Sequence, residues 1–479
     1  MYDNFGVDPP ASPRLFSSFV EVRDSINADT RIEEASSWLF AGIIVNNPSD
    51  TLVPIIQLSI IIIVEKSIQV SGGRPLVGNI RVPGAKNAVL KEMVACILAP
   101  GNYKLSNAPD IQDVHYMSEV LSHLGLEISF IDKELTINSP ESLKIEAPYD
   151  LVKKMRASII ILGPLLAREG NVKIAFPGGD NLGPRPVQMH LDALEKMGAT
   201  FELEHGVLIG QAEKLNGVSI NLPYASVGAT ENTILAAVLA EGKTVIENAA
   251  REPEVTDLIK MLKNMGAEID GGGSSEIVIN GVDSLNPVNH SIIGDRIVAG
   301  TFLLATAATG GKVNVNGVNP HFLEMELKKI REMGVSVIVE ENSILIESDS
   351  KPKGIDISTL PFPGVATDLQ PMFSAALLKS SGTSIVTENV YDQRFQWVPE
   401  VLRMGANVQI GWQHAVIKGV HELSGAPVVS PDIRTGAGLL IAALSADGYS
   451  VIDGVSHIDR GYEDIVNSFS ALGAKLEYN

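Results

Sequence analysis

The feature that most constrains this 479-residue chain is an internal repeat. Six times, an apolar stretch of helical period runs into Leu-Gly or Met-Gly and then into a short alternating segment, at intervals of about 70 residues. The glycines at these junctions are Gly125, Gly198, Gly266, Gly334, Gly405 and Gly473. A unit of this size buries little apolar surface alone, so we expect the six units to share cores with their neighbours.

The residues around each glycine predict the structure of one unit. Glycine after the last apolar turn is typical of a left-handed helix cap, because it has no Cβ to clash. The apolar period then drops from 3.6 to 2, as in 335–339 and 343–346, which predicts a pair of strands. We therefore expect an α/β fold of two lobes, each built from three units, with buried helices, outer strands and a ligand cleft between the lobes.

Composition excludes some classes of function. The 45% hydrophobic content supports large cores in two or more domains. The net charge of −20, with no basic run interleaved with aromatic residues, argues against nucleic acid as a partner. Cys96 is the only cysteine and lies in an apolar stretch, so we expect a buried structural thiol and no internal disulfide.

Residues 1–65 lie outside the repeat. They lack the basic, apolar and small-residue regions of a signal peptide, and the apolar run 52–64 is too short to span a bilayer. We interpret 52 onward as a β-rich lead into the first strand, and the segment before it as a poorly ordered extension or an over-extended translation start. The expected location is the cytoplasm, without membrane insertion.

Six cations stand beside glycines or predicted helix starts in this acidic chain. They are Lys86, Arg156, Arg185, Arg394, Arg434 and Arg460. Together they indicate a site for a multiply anionic small molecule, because arginine forks pair with phosphate and carboxylate and helix N-termini supply free N–H groups. No metal or cofactor is expected, since the histidines lack paired ligand spacing. The histidines considered are His115, His123, His190, His414 and His457.

Eight motifs carry a family resemblance over roughly residues 66 to 479. The chain contains, in this order, PGAKNAVL, MRASIIILGPLLAR, PGGDNLGPRPVQMH, SVGATENTILAAVLAEG, AAREPEV, TDLQPMFSAAL, DIRTGAGLLIAAL and IDRGYED. Their order and spacing resemble those of the UDP-N-acetylglucosamine enolpyruvyl transferases, in the EPSP synthase superfamily. The resemblance implies a two-lobed inside-out α/β barrel. Its central lobe would be 86–293, including a lid loop, and its second lobe would combine 66–85 with 294–479.

The resemblance also implies a reaction. Family members transfer the enolpyruvyl group of phosphoenolpyruvate to the 3′-hydroxyl of UDP-N-acetylglucosamine and release phosphate, which is the first committed step of peptidoglycan synthesis. Such chemistry needs a proton donor for the methylene carbon, an acceptor for the hydroxyl proton, and cations for phosphate and carboxylate. The two small molecules would be the partners, and the step would serve cell-wall biogenesis, cell shape and cell division.

Site roles are carried over by motif. The implied catalytic residues are Lys86, Asp180, Asp368 and Arg434. The implied substrate-binding residues are Lys86, Asn87, Arg156, Arg185, Pro186, Val187, Gln188, Met189, Tyr224, Ala225, Ser226, Val227, Asp368, Val390 and Arg460. Lys86 and Asn87 would hold phosphoenolpyruvate, and Arg185 and Arg460 would also face its charges. Residues 185–189 and 224–227 would contact the uridine diphosphate. Asp368 would act as the base beside the sugar, and a cap of the following helix is its structural alternative.

The chain departs from the family pattern at two positions. Asp180 stands where most members have the loop cysteine that fosfomycin alkylates, so we expect resistance to that compound. A carboxyl group can still protonate carbon if its pKa is raised. Tyr224 stands where lysine is common, which weakens the implied contact at that position only.

Two alternative functions remain open. The sister transferase on shikimate 3-phosphate shares the fold and phosphoenolpyruvate, but it typically has PGSKS where this chain has PGAKNA and lacks the PGGDNLGPRP segment. The other alternative is a non-catalytic paralogue that binds a UDP-sugar. Near the site, we expect Asp295 and Arg296 to help build the hinge between the lobes and Asp432 to orient Arg434. Glu252 and Glu254 could be acids of the cleft, but a solvated turn is the favoured interpretation.

Overall fold

A computed structural model describes residues 66–175 and 187–479, all within one compact unit, Glu65–Asn479. The predictions for residues 1–65, the lid loop, Asp180, Arg185 and Pro186 lie outside the described residues. No helix among the described residues is long and apolar enough to cross a membrane.

The described residues contain 24 strands and 14 α-helices. The strands are β1 (Ile68–Ser71), β2 (Leu76–Arg81), β3 (Gly101–Ser106), β4 (Glu127–Ile131), β5 (Glu134–Ser139), β6 (Glu146–Ala147), β7 (Asn171–Ala175), β8 (Thr200–Glu204), β9 (Val207–Gln211), β10 (Ser219–Asn221), β11 (Lys243–Glu247), β12 (Glu268–Asp270), β13 (Glu276–Asn280), β14 (Asn289–Ser291), β15 (Gly311–Asn316), β16 (Ser336–Val339), β17 (Ser343–Ser348), β18 (Ile357–Ser358), β19 (Thr383–Thr387), β20 (Asn407–Gly411), β21 (His414–Lys418), β22 (Pro427–Val429), β23 (Tyr449–Asp453) and β24 (Lys475–Tyr478). The helices are α1 (Lys86–Ala95), α2 (Gln112–Leu124), α3 (Tyr149–Val152), α4 (Leu162–Glu169), α5 (Gln188–Lys196), α6 (Val227–Ala237), α7 (Pro253–Met265), α8 (Arg296–Thr309), α9 (Glu324–Glu332), α10 (Gln370–Leu377), α11 (Val398–Arg403), α12 (Ile433–Ser445), α13 (Val455–Asp459) and α14 (Ile465–Ala471).

The third repeat shows the plan of one unit. Strand β10 leads into buried helix α6, strand β11, amphipathic helix α7 and the hairpin β12–β13. The sheet order is β10-β11-β13-β12, in which the first pair is parallel and the other two pairs are antiparallel. The remaining strands form five more four-stranded sheets with the same pattern of one parallel and two antiparallel pairs. The predicted two-lobed α/β fold is confirmed, although each sheet in the described part of the chain is open rather than closed into a barrel.

All six repeat glycines have positive φ, from 84° at Gly405 to 111° at Gly125. Each follows an amphipathic helix within one or two residues, and a strand begins shortly after it. An L side chain at these positions would strain the backbone, because left-handed φ brings Cβ against the carbonyl. The predicted helix caps are therefore confirmed.

Six helices lie in the interior, as the sequence predicts. Helices α1, α4 and α6 belong to one hydrophobic cluster, and α8, α10 and α12 belong to another. Every residue of α12 is buried, including both of its polar N-terminal residues after Ile433. The strands instead alternate between buried and partly exposed positions, as in β5, which is typical of sheets with one face on the core.

The two hydrophobic clusters define two lobes. We call residues 85–292 the first lobe, and residues 68–82 together with 297–476 the second lobe. The chain crosses between them twice, and the crossings pair side by side: Ala85 N donates to Ile293 O (2.7 Å) and Asp295 N donates to Pro83 O (2.9 Å). Gly84 and Gly294 pair in an antiparallel bridge between the crossings. Neither position has room for a side chain, since a Cβ would lie 1.9 Å from Asn107 O at Gly84 and 1.8 Å from Gly317 O at Gly294.

Candidate active site

A cavity of about 470 Å³ lies between the lobes. It brings together most of the predicted site residues that the structure describes, and it takes them from both lobes. Those lining it are Lys86, Asn87, Arg156, Met189, Tyr224, Ala225, Ser226, Val227, Asp368, Val390, Arg434 and Arg460. Val187 and Gln188 are not in the lining: Val187 is buried, and Gln188 is exposed with its amide donating to Asp192 Oδ1 (2.6 Å).

Lys86 is the first residue of α1, and its side chain pairs with Asp113, a residue that the sequence analysis did not identify. Its Nζ lies 2.9 Å from Asp113 Oδ2, and Arg460 Nε from the second lobe donates to Asp113 Oδ1 (2.9 Å). Burial lowers the pKa of Lys86, with Arg434 and Arg460 adding to the effect against the attraction of Asp113. Asp113 therefore holds one cation from each lobe. No motif of the sequence analysis includes Asp113, and its partner Arg460 lies 347 positions away, so no local pattern marks it.

Asp368 is held between two arginines. Arg394 Nη2 donates to Oδ1 (2.9 Å), while Arg434 donates to Oδ2 from Nη2 (3.0 Å) and Nε (3.2 Å). Burial raises the pKa of this carboxyl group, but Arg434, Arg394 and Lys86 outweigh it and bring the pKa well below the ordinary value. Ala366 and Leu369 occupy the cap positions of the local helices, so the structural alternative of a capping Asp368 is wrong.

Two aspartates cap the helices that carry arginines into the cavity. Asp432 Oδ1 accepts from Arg434 N (2.9 Å) and Thr435 N (3.0 Å) at the start of α12. Asp295 Oδ1 accepts from Ile297 N (2.8 Å) at the start of α8, and its Oδ2 accepts from Lys86 N (3.0 Å). The caps fix the backbone at Arg434 and tie the start of α1 to the start of α8.

One wall of the cavity is acidic, contrary to the predicted solvated turn. Glu252 and Glu254 are 9% and 3% exposed and line the cavity with Glu231. Glu254 Oε1 accepts from Arg296 Nε (3.0 Å), and Glu252 Oε1 accepts from Phe362 N (3.2 Å). Burial raises the pKa of Glu231 to about 7. The solvated-turn prediction failed because residues from the second lobe cover this wall, which no local pattern shows.

The predicted uridine-binding segment leads into α6, the helix that also carries Glu231. Ser226 caps α6 by accepting from Ala229 N, and Tyr224 is 39% exposed. Behind this segment, His190 Nδ1 lies 3.0 Å from the amide nitrogen of Asn232. Burial, with Arg156 nearby, lowers the pKa of His190 to about 4, so this imidazole is neutral at pH 7.

The arrangement suits an anionic ligand that spans both lobes. Lys86 and Arg156 come from the first lobe, and Arg394, Arg434 and Arg460 come from the second. Several charged donors and the carboxylates of Asp113 and Asp368 converge on this cavity, and hydrogen bonds between charged groups are the strong ones. Such a site can bind phosphate and carboxylate and can accept a proton at Asp368.

Comparison with known proteins identifies the family. The family model of EPSP synthase (3-phosphoshikimate 1-carboxyvinyltransferase) matches residues 70–469. The chain is 49% identical over 411 residues to the UDP-N-acetylglucosamine 1-carboxyvinyltransferase of Corynebacterium jeikeium, covering 86% of this chain and 98% of that protein. It is 46% identical over 411 residues to the protein of the same name from Thermotoga petrophila, with 85% and 98% covered.

Solved structures show the same fold at lower identity. The enolpyruvyl transferase NikO from Streptomyces tendae superposes with a TM-score of 0.79 at 24% identity, covering 87% of this chain and 99% of that one. EPSP synthase from Acinetobacter baumannii gives 0.69 at 21% identity, with 87% and 100% covered. The chain therefore belongs to the EPSP synthase family and, within it, to the family of the UDP-N-acetylglucosamine 1-carboxyvinyltransferases.

Proposed function

We propose that this enzyme transfers the enolpyruvyl group of phosphoenolpyruvate to the 3′-hydroxyl of UDP-N-acetylglucosamine and releases phosphate. The observation that carries the proposal is the convergence of Lys86, Arg434 and Arg460 with the carboxylate of Asp368 in one interlobe cavity. Relatives at 46–49% identity, each matched over 98% of its own length, carry the name of this activity.

The proposed reaction has two steps. The 3′-oxygen bonds to C2 of phosphoenolpyruvate while its proton passes to Asp368, and C3 receives a proton from Asp180, which gives a tetrahedral phosphate ketal. Asp180, now a carboxylate, then takes a proton back from C3 as the bond from C2 to the phosphate oxygen breaks, and the leaving phosphate takes up the proton held by Asp368. Lys86, Arg434 and Arg460 would stabilise the charge on the phosphate and carboxylate throughout.

Arg394 and Arg434, which we call the arginine clamp, set the basicity of Asp368. In the structure, Arg434 and Arg394 hold this carboxylate ionised and make it a weak base. An anionic substrate beside Arg434 would share that guanidinium with Asp368. The pKa of Asp368 would then rise toward its ordinary value, so we infer that substrate binding itself makes the carboxylate a better proton acceptor.

The two alternatives have weaker support. The fold and the family model admit transfer to shikimate 3-phosphate, but relatives at 46–49% identity are named for the nucleotide sugar. A non-catalytic UDP-sugar binder has no need for Asp368 beside Arg434. We further propose a role in peptidoglycan synthesis, and hence in cell shape and division, in the cytoplasm, and resistance to fosfomycin through Asp180.

Phosphate release tests the proposed function. The protein would be incubated with phosphoenolpyruvate and either UDP-N-acetylglucosamine or shikimate 3-phosphate. We expect phosphate release with UDP-N-acetylglucosamine as the acceptor and none with shikimate 3-phosphate. Release only with shikimate 3-phosphate would favour the sister activity, and binding of the nucleotide sugar without any release would favour the non-catalytic paralogue.

A further inference from the structure

Three buried titratable side chains meet outside the lining of the cavity: Glu92 of α1, Asp257 of α7 and His290 of β14. His290 Nε2 lies 3.2 Å from Asp257 Oδ1 and 3.4 Å from Glu92 Oε1. None of the three side chains is more than 2% exposed. A single ring nitrogen therefore faces two carboxyl groups in the interior of the first lobe, a feature that no sequence motif indicated.

Burial limits the charge that this cluster can hold. Unpaired charge is costly in a dry interior, so the favoured state is a protonated imidazole, one carboxylate and one neutral carboxylic acid. Burial raises the pKa of Glu92 to about 8, with Asp257 adding to the rise. The carboxyl groups, acting against burial, raise the pKa of His290 to about 9. The Cys96 thiol, directly after α1, is a further titratable neighbour of Glu92, and burial keeps it neutral by raising its pKa.

The cluster joins the elements that bring charged groups to the cavity. Helix α1 begins at Lys86 and contains Glu92, and helix α7 contains both Glu254 and Asp257. Besides facing His290, Asp257 accepts from Ile293 N through Oδ2 (3.0 Å), within the second crossing between the lobes.

The residues that follow Ile293 contact residues that line the cavity. Asp295 accepts from Lys86 N (3.0 Å), and Arg296 donates to Glu254 (3.0 Å). A shift of this crossing would therefore displace Lys86 and Arg296 together, because the Asp295 carboxylate binds Lys86 N and Arg296 is the next residue of the chain.

We propose that Glu92, Asp257 and His290 are positioning residues, which hold the crossing at Ile293 so that Lys86 and Arg296 face the substrate. They do not touch the cavity and act only through the elements that carry them. The activity measurements below depend on the proposed function, whereas the stability measurements need no substrate.

The first test compares Glu92→Gln with the native protein over pH. Glutamine keeps the shape and donor of the neutral acid but cannot ionise, while the other titrating groups of the site are present in both proteins. The ratio of kcat/KM, variant over native, should rise about threefold or more between about pH 7 and about pH 9, as Glu92 ionises beside Asp257 in the native protein. A ratio that stays constant over this range would overturn the proposal.

Unfolding temperature gives a readout that needs no substrate. Because the pKa of Glu92 is raised on folding, from 4.5 to about 8, its contribution to stability is full at low pH and is lost as pH rises through this window. The difference in unfolding temperature, Glu92→Gln minus native, should therefore increase as pH rises to about 8 and then stay constant. This pH dependence is expected even if the native protein releases no phosphate, a result that would refute the proposed function alone.

The second test removes the imidazole with His290→Leu, and His115→Leu on the exposed side of α2 serves as the matched control. The folded His290→Leu protein should lose about tenfold or more in kcat/KM for phosphoenolpyruvate, mainly through a higher KM, because Lys86 is displaced. Normal kinetics in folded His290→Leu would overturn the positioning role. Stoichiometric zinc in the native protein that is lost in this variant would also overturn it, since the cluster would then be a metal site.

Discussion

Replacing Asp368 by asparagine should lower both the catalytic rate and the stability of the protein, each by an amount that can be measured separately. The change keeps the shape of the side chain but removes the charge that faces Arg394 and Arg434, whose side chains are 1% and 6% exposed. Removing one partner of a buried ion pair costs about 3–5 kcal/mol, and the Asp368 side chain is 25% exposed, so we expect a loss of about 3 kcal/mol in the free energy of unfolding. Loss of the proton acceptor should lower kcat by about 10²- to 10⁴-fold.

The stability loss should depend on pH in a defined direction. The folded-state pKa of Asp368 lies below the unfolded value of 3.8, so its stabilisation is present above about pH 4 and is lost as pH falls through the folded-state pKa. The difference between Asp368→Asn and the native protein should therefore be full at pH 7 and shrink in acid.

Urea unfolding and steady-state phosphate release measure the two effects. Glu347→Gln, which breaks an exposed pair with Lys312 (2.9 Å), is the matched control and should change stability by less than about 1 kcal/mol without changing kcat. Near-native kcat in Asp368→Asn would remove Asp368 from the role of base. Unchanged stability would refute the account of the arginine clamp.

Three further predictions concern the cations and the thiol chemistry. Arg434→Ala should lower kcat/KM for phosphoenolpyruvate by about 10²-fold or more in steady-state assays, because it removes a charged donor that also binds one oxygen of Asp368. A loss below about threefold would contradict the place of Arg434 in the anionic site. Asp180→Cys should stay active and gain time-dependent inactivation by fosfomycin, with a covalent mass increase on its peptide, whereas rapid inactivation of the native protein would refute resistance. Native Cys96 is fully buried and burial raises its pKa, so mass spectrometry after treatment with a thiol reagent should find it unmodified unless the protein is unfolded.

The fold was predictable because its signals are local. A glycine that ends a helix in the left-handed region, followed by a change of period from 3.6 to 2, can be recognised within one short segment, as at Gly334 and β16. The burial of the inner helices could also be predicted, because stretches such as TGAGLLIAALS within α12 are apolar on every face.

The details of the site were less accessible, because they depend on contacts between distant residues. Asp368 meets Arg434 across 66 positions of sequence, and Asp113 meets Arg460 across 347. The resemblance named three of these four residues without showing that they pair. Glu252 was mistaken for a solvated residue because the cover over it comes from Phe362, in the other lobe.

Product analysis of the nucleotide sugar tests the central claim most directly. After incubation of the native protein with phosphoenolpyruvate and UDP-N-acetylglucosamine, mass spectrometry should find the sugar heavier by one enolpyruvyl group, with one phosphate released per product. Proton magnetic resonance should place the new vinyl ether on the 3′-oxygen. Unchanged nucleotide sugar beside an enolpyruvyl product of shikimate 3-phosphate, or no product with either acceptor, would contradict the account.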